Sequence, residues 1–295
     1  MSKLSWAISV LGARPKNRAH YIGLRMRHRA IGFWKKLQIE LHSDCNRDCG
    51  FCPRFGDRSG VRKDANGKAI RVKMPTEHVK SIIDQAHDLG YRGIIGLHRL
   101  SEATLDPRFL EIYDYIRSRG MVFHDATNGD VLERRPDLCA AIDHPDTELI
   151  FGLYDAETEE QREEEKKRWR ARFRHASVKF SEPVKKLVLR KKSQAYELAE
   201  KDPAVLDTPC YATNELLIRY DGNVNMCCQD DMCEFHLGNA FQTPIEDIWW
   251  SDKRAHIVQT LRQPGGRHKF GPCSTCYAGP QSHDVALNEY LIRTA

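Results

Sequence analysis

Three cysteines within eight residues, CNRDCGFC at 45–52, constrain this chain more than any other feature. Cys45, Cys49 and Cys52 follow the spacing C-x3-C-x2-C. A structural zinc site usually takes four ligands in pairs spaced C-x2-4-C. Here three thiols stand together with no fourth nearby, and a disulfide pairing would leave one over. Three thiolates on one tight loop suit a cubane iron–sulfur cluster whose fourth iron stays open for another ligand.

The surrounding pattern says where that loop sits. KLQIEL (36–41) alternates and ends where the cysteines begin, so it reads as the first strand. Helix patterns at 76–90, 106–120, DVLERRPDLCAAID and 157–173 alternate with strand patterns at 91–98, 121–129 and 147–155. ASVKF and VKKLVLR are two further short strand candidates. Strands alternating with helices imply parallel βαβ units, and six strands make a partial (βα)6 barrel of the α/β class rather than a closed eight-fold one. After about residue 200 the pattern changes. KDPAVLDTPC reads as a linker, ELLIRYDGNVNMCC (215–228) as a β-hairpin turned by Asp221-Gly222, and 243–263 as one or two short helices. The expected organisation is a basic N-terminal extension at 1–35, a partial barrel at 36–202 and a small domain at 203–295. No segment reaches the roughly 20 apolar residues of a membrane span, and the N-terminus lacks a signal-peptide pattern. The ten cysteines are therefore expected in a reducing cytoplasm, where clustered thiols bind metal more often than they form disulfides.

Phe51 before the third cysteine completes C-x3-C-x-aromatic-C at the C-terminal end of the first strand. This resembles the radical S-adenosylmethionine superfamily. The resemblance implies that Cys45, Cys49 and Cys52 ligate a [4Fe–4S] cluster whose open iron binds the amino and carboxylate groups of S-adenosylmethionine. It implies reductive cleavage to methionine and a 5′-deoxyadenosyl radical that abstracts hydrogen from the substrate, with a flavodoxin- or ferredoxin-type electron donor. Where the family carries a G-G-E-P-like turn, this chain reads SEA, so Ser101 and Ala103 depart from the pattern while Glu102 keeps the acidic position that contacts the methionine amino group. His98 and Arg99 before it are unusual. Thr127 and Asn128, in TNG, resemble the family's turn after the next strand and are expected near cofactor or substrate; Thr-Asn-Gly is equally a good turn in its own right.

The C-terminal region, CYATNELLIRYDGNVNMCC … GNAFQTPIEDIWW … CSTC, resembles the SPASM extension in its shortened, twitch form. Four ligands remain for one auxiliary [4Fe–4S] cluster: Cys210, Cys227, Cys273 and Cys276, with Cys228 as rival to Cys227. A structural zinc site on the same four thiols stays open at this point. Cys139 reads as a core residue. Cys233 reads either as an ordinary semi-buried thiol or as a hydrogen-atom donor to a substrate radical.

The formal net charge is +5. Three thiolates on one 2+ cluster and four on another change it by about −1 and −2, leaving roughly +2, which is no strong nucleic-acid signature. The basic residues are uneven, however. Arg54, Arg58 and Arg62 follow the cysteine loop directly, and the expectation is that they hold an anionic group of the substrate. Twitch enzymes that this chain resembles include the 2-deoxy-scyllo-inosamine dehydrogenase type. It implies a small polar substrate, a sugar, cyclitol or nucleoside derivative of natural-product biosynthesis, with the auxiliary cluster assisting oxidation, epimerisation or sulfur insertion. Two alternatives remain: a radical peptide maturase, for which the chain leaves little room for a leader-recognition domain, and a non-catalytic iron–sulfur or zinc protein that binds nucleic acid.

Overall fold

The computed structural model describes residues 33–47, 49, 52, 71–181, 203–230 and 232–276. Phe51, Arg54, Arg58, Arg62, the strand candidate VKKLVLR and nearly all of the basic N-terminal segment lie outside these residues.

Strand β1 spans Lys36–Ile39. Helix α1, Thr76–Asp88, buries Val79, Ile82, Ile83 and Ala86, the spacing of a single apolar stripe. β2 spans Ile94–Gly96, and a short 3-10 turn at Ala103–Leu105 leads into α2, Phe109–Ser118, which buries Phe109, Ile112, Tyr113 and Ile116. β3 spans Val122–Thr127. The single helix expected next is two, α3 (Asp130–Arg134) and α4 (Pro136–Ile142). Pro136 has no N–H to give and pushes Arg135 out of the helical region, to φ −126° and ψ 70°. β4 spans Thr147–Gly152. Helix α5, Glu159–Arg172, starts on a capping box between Thr158 and Gln161 and buries only Trp169, as its charged sequence requires. β5 spans Ser177–Ser181.

The C-terminal hairpin, β6 (Glu215–Ile218) and β7 (Val224–Asn225), belongs to the same sheet rather than to a sheet of its own. The order is β5-β4-β3-β2-β1-β6-β7, parallel throughout except for β6 against β7. β6 pairs with β1 along its whole length, from Lys36–Glu215 to Ile39–Ile218. Helices α6 (Ile245–Trp249) and α7 (Asp252–Leu261) and the turn α8 (Gly271–Ser274) follow. Trp249 and Trp250 pack against Trp34 just before β1, and the buried Arg254 guanidinium stacks on the Trp249 ring at 3.3 Å.

The two faces of the sheet differ in kind. One face, Leu37, Ile39, Ile95, Phe123, Leu149 and Phe151, is fully buried in the apolar core beneath the helices. The other carries Lys36, Gln38 and Glu40 from β1 and its end, with His124 and Glu148 from β3 and β4, all buried. Register sets Gln38 beside Gly96, Gly96 beside His124, and His124 beside Glu148. Parallel strands covered on both faces normally read apolar on both. This buried polar face is called the lumen below. Gly96 lets its neighbours pack closely on this face: a Cβ there would stand 3.1 Å from Lys36 Cε and 3.2 Å from the His124 carbonyl oxygen.

Candidate cofactor and active site

The cysteine loop leaves the C-terminal end of β1 and is latched from three sides. Ser43 N–H donates to the Val72 carbonyl, Glu102 N–H to the Asp44 carbonyl, and Cys52 N–H to the Cys49 carbonyl at 2.8 Å. Arg47 inside the loop donates to two carboxylates, Asp130 through Nε (2.8 Å) and Asp155 through Nη1 (2.9 Å). Its hydrogen bonds to Asp130 and then Asp155 hold it charged at any accessible pH.

The three thiols share one small space. Burial, then the neighbouring Cys52 and Cys45, push the Cys49 thiol up to about 11. Burial pushes the Tyr154 hydroxyl to about 12, with Cys49, Glu102, Cys52 and Cys45 adding to it. Thiolates this close repel one another, and a soft, positively charged centre is what would relieve them. Among the described residues no group of three or more His, Cys, Asp or Glu side chains closes on one point as a single metal ion requires. A cubane, in which each thiolate takes its own iron, asks for a wider set. The donor set therefore fits such a cluster.

The turn at 101–104 stands beside this loop. Glu102 is 3% exposed, and its carboxylate accepts from Thr104 Oγ1 (2.6 Å), Thr127 Oγ1 (2.8 Å) and Asn128 N–H (2.8 Å). It therefore ties the 101–104 turn to the end of β3. Burial pushes its carboxyl up, against these donors. Asn128 reaches the cysteine loop, donating to Asn46 Oδ1 at 2.9 Å, with Cys45 Sγ 4.0 Å away. Ser101 Oγ is buried without a hydrogen-bond partner among the described residues, an unused polar atom in this turn that a polar ligand group would satisfy. Gly129 turns the chain into α3 at φ +80°. Ser101, Glu102, Thr127 and Asn128 thus gather beside Cys45.

Glu102→Ala is expected to weaken S-adenosylmethionine binding roughly ten- to a hundredfold, the equivalent of a charge-assisted hydrogen bond of about 1.5–3 kcal/mol. It should also lower the melting temperature, since Thr104, Thr127 and Asn128 lose their acceptor. Calorimetric titration of the reconstituted variant checks this. Unchanged affinity with full iron content would mean that the cofactor does not use this turn.

The second thiol set lies on the far side of β1. Burial, then Cys228, Cys210 and Cys276, push the Cys227 thiol well above its ordinary value. Cys276 N–H donates to the Cys273 carbonyl at 3.0 Å, so those two thiols sit on one turn after α8 begins. Cys228 faces a different company: burial and Glu215 push it to about 12, Arg99 opposes, and Cys276 comes after them. Cys139 is a core residue whose Sγ donates to the Leu132 carbonyl at 3.3 Å. Cys233 is 6% exposed and has φ +53°, with Arg219 Nη1 at 4.0 Å from its sulfur.

Between the two thiol sets runs the polar lumen. His124 Nδ1 stands 2.8 Å from Glu148 Oε1, and Lys179 Nζ donates to Glu148 Oε2 at 2.9 Å. Glu148 is held down to about 2 by His124 and Lys179, although burial pushes it up. It is a carboxylate, so His124 Nδ1 carries the proton and donates. Burial, then Lys36, bring His124 down to about 4, leaving a neutral ring with its lone pair on Nε2. That atom has no hydrogen-bond partner among the described residues. The His98 ring is 5.3 Å away, centroid to centroid, with its Nε2 2.9 Å from the Gln38 amide nitrogen and its Nδ1 3.0 Å from Asp125 Oδ1. Burial pushes the Asp125 carboxyl well up and His98 well down. The sequence reading passed over Lys36, His124, Asp125 and Glu148. The available signal was the period of two, which places polar residues at 36, 38 and 40 on one face.

The SPASM iron–sulfur cluster-binding domain matches residues 210–277. The S-adenosyl-L-methionine-dependent 2-deoxy-scyllo-inosamine dehydrogenase of Niallia circulans is 25% identical over 252 residues, which are 81% of this chain and 91% of that protein. In fold, the chain is similar to the crystal structure of BtrN in complex with AdoMet and 2-DOIA, with TM-score 0.63, 22% identity, and coverage of 86% of this chain and 97% of that one. It is also similar to Streptococcus suis SuiB bound to precursor peptide SuiA, with TM-score 0.54, 14% identity, and coverage of 90% and 75%.

Proposed function

We propose that this chain is a radical S-adenosylmethionine enzyme with a SPASM-type iron–sulfur extension and that it oxidises a hydroxyl-bearing carbon of a small polar substrate held in the lumen. Its cofactors are S-adenosylmethionine and [4Fe–4S] clusters. When bound, these supply a 5′-deoxyadenosyl radical that removes one hydrogen atom and, at the auxiliary site, an acceptor for the electron left behind.

The remaining work falls to side chains. Cys45, Cys49 and Cys52 hold the first cluster, and the Arg47 latch to Asp130 and Asp155 fixes their loop. Ser101, Glu102, Thr127 and Asn128 frame the methionine end of the cofactor. Cys210, Cys227, Cys273 and Cys276 hold the auxiliary cluster, Cys227 being preferred to Cys228 by its thiol neighbours. His124 Nε2 accepts the substrate's hydroxyl proton. The resulting imidazolium stays paired with Glu148, whose charge Lys179 fixes in place. A hydroxyl on a radical carbon is a far stronger acid than an alcohol, so a ring of low basicity serves. Lys36, Gln38 and Glu40 supply donors and acceptors that orient a polyhydroxylated ring.

One observation carries this reading: the polar lumen lies between the thiol sets. Tyr154 on one side is in the field of Cys49, Cys52 and Cys45 and of Glu102, Glu102 in turn acts on Asp125, and Lys36 on the other is in the field of Asp125 and Cys228. The dehydrogenase relative names a first substrate to try. Reconstituted protein, S-adenosylmethionine and dithionite would be incubated anaerobically with 2-deoxy-scyllo-inosamine and a panel of aminocyclitols and sugars. A product two hydrogens lighter, formed in step with 5′-deoxyadenosine, is the expected result. A product of unchanged mass carrying one solvent-derived hydrogen would instead indicate epimerisation, with Cys233 the thiol to test as hydrogen donor, and would end the oxidation reading.

A further inference from the structure

Arg99 leaves the end of β2 and crosses to the loop that carries Cys227 and Cys228. Its Nη2 donates to the Asp230 carbonyl oxygen at 3.1 Å. Asp230 is itself buried, and its carboxylate accepts from Met226 N–H and Glu234 N–H, so Arg99 is anchored on a fixed loop. Its other donors are unused: Nε and Nη1 are buried and have no hydrogen-bond partner among the described residues. The anions and thiols near the guanidinium are Glu40, Cys228 and Cys233. Glu40 spends Oε1 on Leu100 N–H and comes within hydrogen-bond reach of neither orphaned nitrogen. A guanidinium cannot shed its charge, and buried N–H groups without acceptors are costly. The arrangement is therefore incomplete without an acceptor that none of the described residues provides, beside Cys228 at the edge of the second thiol set.

We propose that Arg99 donates through Nε and Nη1 to sulfur atoms of the auxiliary cluster, and thereby raises that cluster's reduction potential. This rests on the auxiliary-cluster and oxidation reading above. The physical reason is charge. Taking up one electron makes the cluster and its thiolates more negative, and N–H···S bonds from a fixed cation stabilise that form more than the oxidised one. The electron comes from the substrate radical as its hydroxyl proton leaves, so a poised acceptor pulls the oxidation forward. Arg99 is a positioning residue for that electron and touches neither substrate nor S-adenosylmethionine.

The test uses the full chain with Cys45→Ala, Cys49→Ala and Cys52→Ala, so that only the auxiliary cluster remains. Iron and sulfide content of this protein, about four of each, establishes that the cluster is present; no iron would overturn the auxiliary-cluster reading and this proposal with it. Its midpoint potential is then followed by electron paramagnetic resonance in a redox titration, with and without Arg99→Met and Arg99→Lys. Arg99→Met should lower the one-electron equilibrium constant for reduction at least tenfold, 59 mV in midpoint, and Arg99→Lys by less. A change under twofold in Arg99→Met with intact cluster content overturns the role assigned to Arg99 and leaves the cluster reading standing. If Arg99→Met fails to assemble its cluster, the Arg99-containing protein decides. With 15N-labelled arginine, pulsed spectra of the reduced cluster should show coupling to guanidinium nitrogen, and absence of that coupling overturns the proposal.

Discussion

Anaerobically reconstituted protein is expected to carry about eight irons and eight sulfides, two cubanes' worth, and the triple change Cys45→Ala, Cys49→Ala, Cys52→Ala about four of each. In that variant 5′-deoxyadenosine formation should fall to background. The effect is total because, in the function proposed above, the three thiols are the whole protein-derived ligand set of the first site. Tyr154 stands in their field, but it is no soft donor that would replace a thiolate. Metal analysis by mass spectrometry and a chromatographic assay for 5′-deoxyadenosine read the two halves separately. Wild-type protein that saturates at four irons, with zinc in the remainder, would make the second thiol set a structural zinc site and remove the electron acceptor from the proposed reaction.

Replacing His124 should be nearly as damaging to product while sparing everything upstream. His124→Gln keeps a polar side chain in the lumen but removes the base. General-base contributions are typically 10²- to 10⁴-fold, so product formation should drop by about that much. S-adenosylmethionine affinity and iron content should be unchanged, because His124 contacts Glu148 and the His98 ring rather than the cysteine loop. Cleavage of the cofactor should continue without turnover, so 5′-deoxyadenosine should exceed ketone product by a growing ratio. Glu148→Gln provides the check on mechanism. It leaves the imidazole in place but removes the anion that sustains its proton, and product should again fall while cofactor cleavage persists. Normal coupling in both variants would place the base elsewhere.

The parts of this protein that a sequence reveals are those whose chemistry dictates spacing. Three thiols proposed for one cluster must be near neighbours, and the C-x3-C-x2-C spacing of Cys45, Cys49 and Cys52 is legible directly. Apolar periodicity placed α1 and α2 to within a few residues. Pro136 was an available signal too, and reading through it merged α3 with α4. The lumen is different. Polar residues at 36, 38 and 40 read equally well as the wet face of an exposed strand. Only the register of β1 to β4, which brings Gln38, Gly96, His124 and Glu148 into one row, together with the burial of all four, shows that the face is covered. Glu102 was legible as the acidic group of the SEA turn, but not as the acceptor that ties two turns together, because Thr127 and Asn128 lie 25 and 26 residues further along. Arg99 gave no sign of its reach to Asp230, 131 residues on.

The pairing of β1 with β6 has a consequence for how the molecule is made. Lys36 and Glu215 are neighbours in the sheet but 179 positions apart in the chain (215 − 36). Contacts of such high order close late and slow folding. Until they close, β1 is an edge strand with unpaired N–H and C=O groups, as it would remain permanently in a polypeptide cut near residue 202. The barrel half therefore has no finished form of its own. It acquires its last strand from the same segment that brings the second set of thiols, so the central sheet and the auxiliary site are completed in a single event.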